Sequence, residues 1–124
     1  MNGEANKKLK KLICAGIVTL VLASTSFGGN IVKWPEDANT PPAGNFIAIS
    51  TGMNFCSALR DDGKIFSWGT DQAGQLDSPD GNDFIDIDCG SYYGLALRSN
   101  GSLAAWGSNY GGACDVPLGN FVDI

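Results

Sequence analysis

The chain repeats itself. Residues 45–81 and 83–119 align without a gap, and each position in the first segment corresponds to the position 38 residues later, as Phe46 does to Phe84. A repeat of this length predicts copies of one supersecondary unit placed side by side, because such a unit buries its apolar face against its neighbour. The repeat therefore constrains the fold more than any other feature of the sequence.

Parts of the same unit lie on both sides of the two complete copies. Residues 29–34 match the half that runs from glycine to tryptophan, and residues 121–124 match the entry segment. The predicted organisation is a partial unit and linker at 29–44, a first unit at 45–82, a second unit at 83–120 and the start of another unit at 121–124. Because the sequence stops inside a unit, we expect a piece of a longer propeller. The alternative is a gene fragment with no independent function.

Each unit carries the signals of antiparallel strands. The dipeptides Asp62-Gly63 and Asn100-Gly101 are typical of two-residue type I′ hairpin turns, and apolar residues alternate on both sides of them. The alternation in the entry segment places Ile85 and Ile87 on one face of a strand. A unit thus holds an entry strand, a hairpin of two strands, and a loop long enough for a short fourth strand.

These observations predict an all-β fold, an incomplete β-propeller of antiparallel blades. Blades of propellers have about this length, whereas a parallel β-helix has shorter coils and a sandwich does not repeat its sequence. Trp68 and Trp106 recur at the same point of the unit, so we expect them to fill the space between blades. An incomplete ring leaves blade edges open, which predicts self-association.

The first 28 residues have the pattern of a secretory signal peptide, predicted as an N-terminal signal helix. Four lysines between positions 7 and 11 precede an apolar run at 12–23, and small residues follow. We expect the remainder to be secreted, periplasmic or on the cell surface. The alternative is an uncleaved segment, which would be the chain's only attachment to a membrane.

Charge and composition exclude several classes of function. The chain has 8 Lys and Arg against 13 Asp and Glu, and four of the basic residues lie in the predicted signal peptide. Such an acidic surface repels the phosphates of nucleic acids. There is no histidine, so serine–histidine and cysteine–histidine catalysis are excluded. The carboxylates Asp77, Asp80 and Asp83 do not follow a calcium-loop pattern. We predict no enzymatic activity, no metal and no cofactor, and leave open a disulfide among Cys56, Cys89 and Cys114.

The motif Gly52…Ala58-Leu59…Gly63…Trp68-Gly69, repeated in the second unit, resembles the regulator of chromosome condensation repeat. The compact unit is similar to those of exported bacterial proteins, including the propeller-type β-lactamase inhibitor proteins. The resemblance implies a seven-bladed propeller in the complete family fold, whose rim loops contact a protein partner. The family commonly has histidine where Phe55 and Tyr93 stand here.

The predicted function is an exported protein-interaction module, and the alternative is a protein that binds an extracellular glycan or other polymer, or a structural surface protein. Aromatic and amide side chains in loops suit partner binding, because they bury a large rigid area at small entropic cost. For Phe55 and Tyr93, packing between blades is an equal alternative. The candidate partner-binding residues are Asn54, Phe55, Gln72, Tyr92, Tyr93 and Tyr110.

Overall fold

A computed structural model describes the backbone of residues 11–14, 17–23, 29–34 and 44–124, and the side chains of 44–124. The described chain is all-β apart from one short 3-10 turn, which confirms the predicted class. The elements are β1 (Lys11–Cys14), β2 (Ile17–Ala23), β3 (Gly29–Trp34), β4 (Phe46–Thr51), β5 (Phe55–Arg60), β6 (Ile65–Gly69), β7 (Phe84–Cys89), β8 (Tyr93–Arg98), β9 (Leu103–Gly107) and the 3-10 turn Tyr110–Gly112.

The strands form two antiparallel sheets that follow chain order. The first sheet has six strands in the order β1-β2-β3-β4-β5-β6, and the second has three in the order β7-β8-β9. Each complete repeat contributes one meander of three strands, β4–β6 in the first unit and β7–β9 in the second. Strand β3 joins β4 through the single pair Gly29 and Phe46, so the partial unit lies in the sheet of the first unit.

The two meanders share their register as well as their sequence. Phe46 pairs with Arg60 in the first unit and Phe84 with Arg98 in the second, and a bulge follows each of these pairs. The bulge makes the expected alternation wrong in the entry strand: Ile85 is 52% exposed whereas Ile87 is buried. An extra residue in one strand of a pair turns the following side chains to the opposite face, which simple period-two counting cannot reveal.

The predicted signal helix lies partly outside the described residues, and within them it is wrong. Residues 11–14 and 17–23 are strands, and six residue pairs join β2 to β3. The segment is rich in β-branched residues such as Ile17, Val18 and Val21, which favour extended backbone, and β3 supplies the hydrogen bonds a strand requires. The described residues contain no helix with the length and apolar character needed to cross a membrane.

The hairpin turns contain three residues instead of the predicted two. Gly63 N donates to Arg60 O and Arg60 N donates to Lys64 O, so residues 61–63 form the loop. Gly63 has a φ of 79°, and Gly101 in the second unit has a φ of 83°. A three-residue hairpin loop requires a left-handed residue at its last position, and glycine adopts that conformation without strain.

Apolar packing between the two units forms the centre of the molecule. Leu59 and Ile65 of the first unit contact a cluster from the second, and both are less than a tenth exposed. The second-unit members of this cluster are Phe84, Ile87, Ala96 and Trp106. The meanders are therefore stacked face to face, as blades are in a propeller.

A buried hydrogen bond crosses the same interface. Trp106 Nε1 donates to the backbone oxygen of Gln75 at 2.9 Å, which joins the second tryptophan to the loop after β6. Trp68 occupies the equivalent position in the first unit and is 2% exposed. Among the described residues, its Nε1 has no hydrogen-bond acceptor. The two equivalent indoles thus differ in one hydrogen bond.

We predict that Gly63→Ala destabilises the fold by more than about 2 kcal/mol, because the new methyl group would overlap the backbone oxygen of Asn82 in addition to the cost of positive φ. Gly111→Ala is the matched control, since Gly111 also has positive φ but nothing lies within 4 Å of its added Cβ. This control should cost about 1 kcal/mol. Urea unfolding followed by circular dichroism measures both, and equal losses would contradict the steric argument.

We predict that Trp106→Phe destabilises the fold more than Trp68→Phe does. Both variants lose similar packing, but the first also removes a buried donor and leaves the Gln75 oxygen without it, at a cost of about 1–3 kcal/mol. The second removes a buried donor that has no acceptor within the part of the chain that the structure describes. Chemical unfolding of both variants by far-UV circular dichroism gives the difference. A larger loss for Trp68→Phe would argue against a stabilising hydrogen bond.

Candidate functional site

Four loops meet at one end of the two meanders, and we call this surface the loop rim. It comprises residues 52–54, 70–75, 90–92 and 108–113, that is, the β4–β5 and β7–β8 turns and the segments after β6 and β9. Backbone hydrogen bonds hold the loops together: Thr70 N to Asn54 O at 2.8 Å, Ser108 N to Tyr92 O at 2.9 Å, and Met53 N to Ser91 O at 2.9 Å. The last of these joins the two units, so the loop rim is a continuous surface.

The Trp-Gly dipeptide of each unit has a structural explanation here. Gly69 has a φ of 120°, and a Cβ on it would lie 2.5 Å from the backbone oxygen of Asn54. Gly107 has a φ of 94°, and its Cβ would lie 2.5 Å from the backbone oxygen of Tyr92. Glycine is required because the backbone turns left-handed while another loop approaches closely. The motif therefore positions the rim loops.

Met53 and Tyr92 form an exposed contact across the boundary between units. The Tyr92 hydroxyl donates to Met53 Sδ at 3.0 Å. Met53 is 51% exposed and Tyr92 is 39% exposed. The two side chains present a flexible thioether beside a rigid ring, a combination that adapts well to a partner surface. Sequence reasoning already placed Met53 in the same loop as the candidates Asn54 and Phe55.

Tyr110 projects from the loop after β9. It begins the 3-10 turn Tyr110–Gly112 and is 92% exposed. Asn109 stabilises this loop, because its Oδ1 accepts from Cys114 N at 2.8 Å and its Nδ2 donates to Asp115 Oδ1 at 3.0 Å. A large aromatic side chain is thus held in solvent by an ordered loop, which limits the entropy lost when a partner covers it.

Gln72 lies at the position equivalent to Tyr110 and is also exposed. Its loop is ordered differently, because Gln75 Oε1 accepts from Gln72 N at 2.9 Å and from Ala73 N at 2.6 Å. Gln75 is 1% exposed and also bonds Trp106 through its backbone. Sequence reasoning assigned no role to Gln75. Its replacement by Ala113 in the second unit was the signal that the two loops are ordered in different ways.

The other candidates lie closer to the core. Phe55 is fully buried, and a Cβ on Gly52 would overlap its ring, so Phe55 packs between the blades and is not accessible to a partner. Tyr93 is partly exposed and its ring lies against Gly90 in the same way. Asn54 is partly exposed, and its backbone oxygen accepts from Thr70. Of the six candidates, Tyr92, Tyr110 and Gln72 are the most accessible.

The basic side chains of residues 44–124 lie at the hairpin end of the meanders, together with Asp61, Asp62 and Asp83. Arg60, Arg98 and Lys64 flank the hairpin turns, away from the loop rim. The hydrogen bond from Arg60 lowers the pKa of Asp62 to about 2, so this exposed ion pair persists through the acidic range. The exposed carboxylates near the other end are Asp71, Asp88 and Asp115. The loop rim is therefore aromatic and contains the carboxylate of Asp71, and Asp88 and Asp115 lie two residues beyond its bounds.

The described residues offer little reactive chemistry. No group of three or more Cys, Asp or Glu side chains among them is placed to hold a metal ion. Burial raises the pKa of the Cys114 thiol, and nearby Asp115 raises it further, so this thiol is less reactive than usual. A cavity of about 420 Å³ lies at the hairpin end, beside Lys64, Ile65 and Pro79. Its lining also includes Ser78 and Asp80 and no residue of the loop rim.

Comparison with known proteins identifies the repeat. Residues 84–113, most of the second unit, match the regulator of chromosome condensation (RCC1) repeat. No curated protein sequence matches the chain.

Solved structures share the fold. The CRINKLY WD40 ectodomain of the Arabidopsis thaliana receptor kinase ACR4 superimposes with a TM-score of 0.66 and 21% identity over 94% of this chain and 42% of that one. Prp20p from Saccharomyces cerevisiae gives a TM-score of 0.52 and 22% identity over 64% of this chain and 20% of that one. The C-terminal domain of gp131 from bacteriophage phiKZ gives a TM-score of 0.60 and 14% identity over 86% of this chain and 31% of that one.

The chain spans less than half the length of each of these structures. At such identities the likeness concerns the fold, and it extends well beyond the matched repeat because it covers up to 94% of the chain. The second unit therefore matches one RCC1 repeat, and the fold of the chain is similar to that of these solved structures.

Proposed function

We propose that this chain is a non-catalytic protein-interaction module that binds its partner through the loop rim. The observation that carries the proposal is the exposed Met53–Tyr92 contact across two blades, with Tyr110 presented beside it. Interfaces obtain most of their binding energy from a few large anchors of this kind. The loops around them are fixed by backbone hydrogen bonds, so little conformational entropy of the loops is lost when a partner binds.

The composition of the rim indicates the chemistry of the partner. Exposed aromatic side chains, with Asp71 in the same rim and Asp115 beside it in sequence, suit a surface with a flat apolar centre and basic residues at its edge. One protein with a similar fold, seen in two solved structures, supports a protein partner: Prp20p of Saccharomyces cerevisiae is described with binding properties to Gsp1p and histones, and, as yeast RCC1, as bound by Kap60. An acidic rim disfavours nucleic acid.

Binding of an extracellular glycan is the alternative. The observation that favours it is Tyr110, whose 92% exposure leaves both faces of its ring available to stack on a sugar. A glycan array probed with the purified chain separates the two functions. Binding of a glycan that is lost in Tyr110→Ala would support the alternative.

We predict that Tyr92→Ala combined with Tyr110→Ala weakens the partner complex by more than about 2 kcal/mol and leaves the fold intact, because both side chains are exposed. The measurement has two steps: affinity capture with immobilised protein, then titration calorimetry with the captured protein. Ile47→Ala together with Val122→Ala is the matched control, since these apolar side chains are also exposed but lie outside the loop rim. Equal affinity of the tyrosine variant and the original chain would refute the proposed surface.

We also propose that the chain is exported, as a compact module similar to the propeller-type β-lactamase inhibitor proteins. The support is the sequence of residues 1–28, with its basic cluster, apolar run and small residues. Expression in a bacterial host with a periplasm should yield a product cleaved between about residues 24 and 29, measured by intact mass spectrometry of the periplasmic fraction. Replacing Val18 and Leu20 with glutamate should block export, and an uncleaved cytoplasmic product from the original chain would contradict the proposal.

A further inference from the structure

The hairpin turn of the second unit carries a modification motif that the first unit lacks. Residues 100–102 read Asn-Gly-Ser, which fits the acceptor motif for N-linked glycosylation, an asparagine with serine or threonine two positions later. Each of the other asparagines in the sequence has a different residue type at that position. In the first unit the equivalent residues 62–64 read Asp-Gly-Lys, so the motif belongs to the second unit alone.

The turn itself does not explain the asparagine. Asn100 Oδ1 accepts from Ser102 N at 2.9 Å, and in the first unit Asp62 Oδ1 accepts from Lys64 N at 3.2 Å. A carboxylate oxygen therefore serves the turn in the same way as an amide oxygen. The amide nitrogen, which an aspartate lacks, takes no part in this bond.

The serine of the motif contacts the same amide. Ser102 Oγ donates to Asn100 Oδ1 at 2.7 Å, so the hydroxyl and the amide of the motif lie side by side. Both hydrogen bonds that Asn100 makes with residues 44–124 use its oxygen. Its Nδ2, the atom that bonds a sugar in N-linked glycosylation, therefore stays available.

The position is accessible, and it remains so when another unit follows. Asn100 is exposed in the second unit. In the first unit the next blade packs closely on the turn, since a Cβ on Gly63 would lie 2.2 Å from Asn82 O. The side chain of Asp62, which corresponds to Asn100, is nevertheless 40% exposed. Exposure at this position is thus a property of the turn and does not depend on what lies beyond residue 124.

We propose that Asn100 is an acceptor for an N-linked glycan, an inference that rests on the proposed export of the chain. The donor is an oligosaccharide joined to a lipid through pyrophosphate. A bond forms between Asn100 Nδ2 and C1 of the first sugar, while the bond from C1 to the pyrophosphate oxygen breaks and the lipid pyrophosphate leaves. The proton lost from Nδ2 passes to a base of the transferase.

The glycan lies at the opposite end of the meander from the loop rim. Strand β8, with six residues, runs from the rim to the hairpin turn over about 20 Å. A bulky, well-solvated group at the turn covers the hairpin end of the second unit and leaves the loop rim open. Glycosylation and partner binding are therefore compatible in one molecule.

Expression of the full chain in cultured animal cells tests the proposal. We expect the secreted product to exceed the mass of its sequence by that of a glycan. An amidase that releases N-linked glycans should remove the excess and leave an aspartate in place of Asn100, which peptide mass spectrometry locates. Asn100→Asp should lose the glycan and keep its fold by circular dichroism, because the first unit has Asp62 at this position.

Two serine variants separate the motif from the turn. Ser102→Ala should lose the glycan although it keeps Asn100. Ser99→Ala is the matched control, because it removes the hydroxyl of an exposed serine in the same turn but outside the motif, and it should keep the glycan. A secreted chain without a glycan would overturn the proposal, and so would a glycan that Ser102→Ala retains.

Failure of export gives a different result from failure of the site. An unmodified product in the cytosol contradicts the proposed export, whereas a secreted product without a glycan contradicts the proposal for Asn100 alone. In the first case, the full chain is expressed behind a signal peptide of the host. A glycan on Asn100 of that product supports the acceptor site, and its absence refutes the site as well.

Discussion

Burial of one blade against the next is the interaction on which the rest of this structure depends. A meander of three strands has two faces, and Leu59 and Ile65 leave water by packing on Phe84 and Ile87. The hydrogen bond from Trp106 Nε1 to the Gln75 carbonyl oxygen fixes the position of one blade relative to the next, because apolar contact alone would let one sheet slide over the other. The same step recurs at the end of the second unit, where Phe121 N donates to Gly101 O as Phe84 N does to Gly63 O.

The rim surface is a consequence of this stacking. Adjacent blades bring the turn of one unit within 2.9 Å of the turn of the next, as the bond from Met53 N to Ser91 O records. Glycines after the tryptophans let the following loops approach these turns. The surface proposed to bind a partner does not exist in one unit, because Met53 and Tyr92 come from different blades. The contacts that stabilise the stacked units also build this surface, which is typical of repeat proteins.

Sequence reasoning was most accurate where the repeat constrained it. Strands, meanders and tryptophans buried between blades follow from periodicity and spacing, and the structure agrees. Sequence reasoning was less accurate where the local backbone conformation decides which way a side chain points. The bulge after Phe84 exposes Ile85, and the hairpin loops contain three residues and not two. For the candidate site, loop position predicted the exposure of Tyr92 and Tyr110 and left packing between blades as an equal alternative for Phe55, which is fully buried. The strand at 17–23 pairs with β3 and the strand at 11–14 pairs with β2, and such pairing cannot be read from the apolar run alone.

By itself, the sequence determined that the chain is an array of antiparallel β units, because copies with apolar alternation can hide their faces only against one another. It also determined the chemistry available, aromatic and acidic with no histidine. Only the tertiary structure decided which of these side chains are accessible. Phe55 and Tyr93 occupy the same position of the repeat, yet the first is fully buried and the second partly exposed. Their difference arises because exposure depends on what lies across the face, and that is a property of the assembled blades.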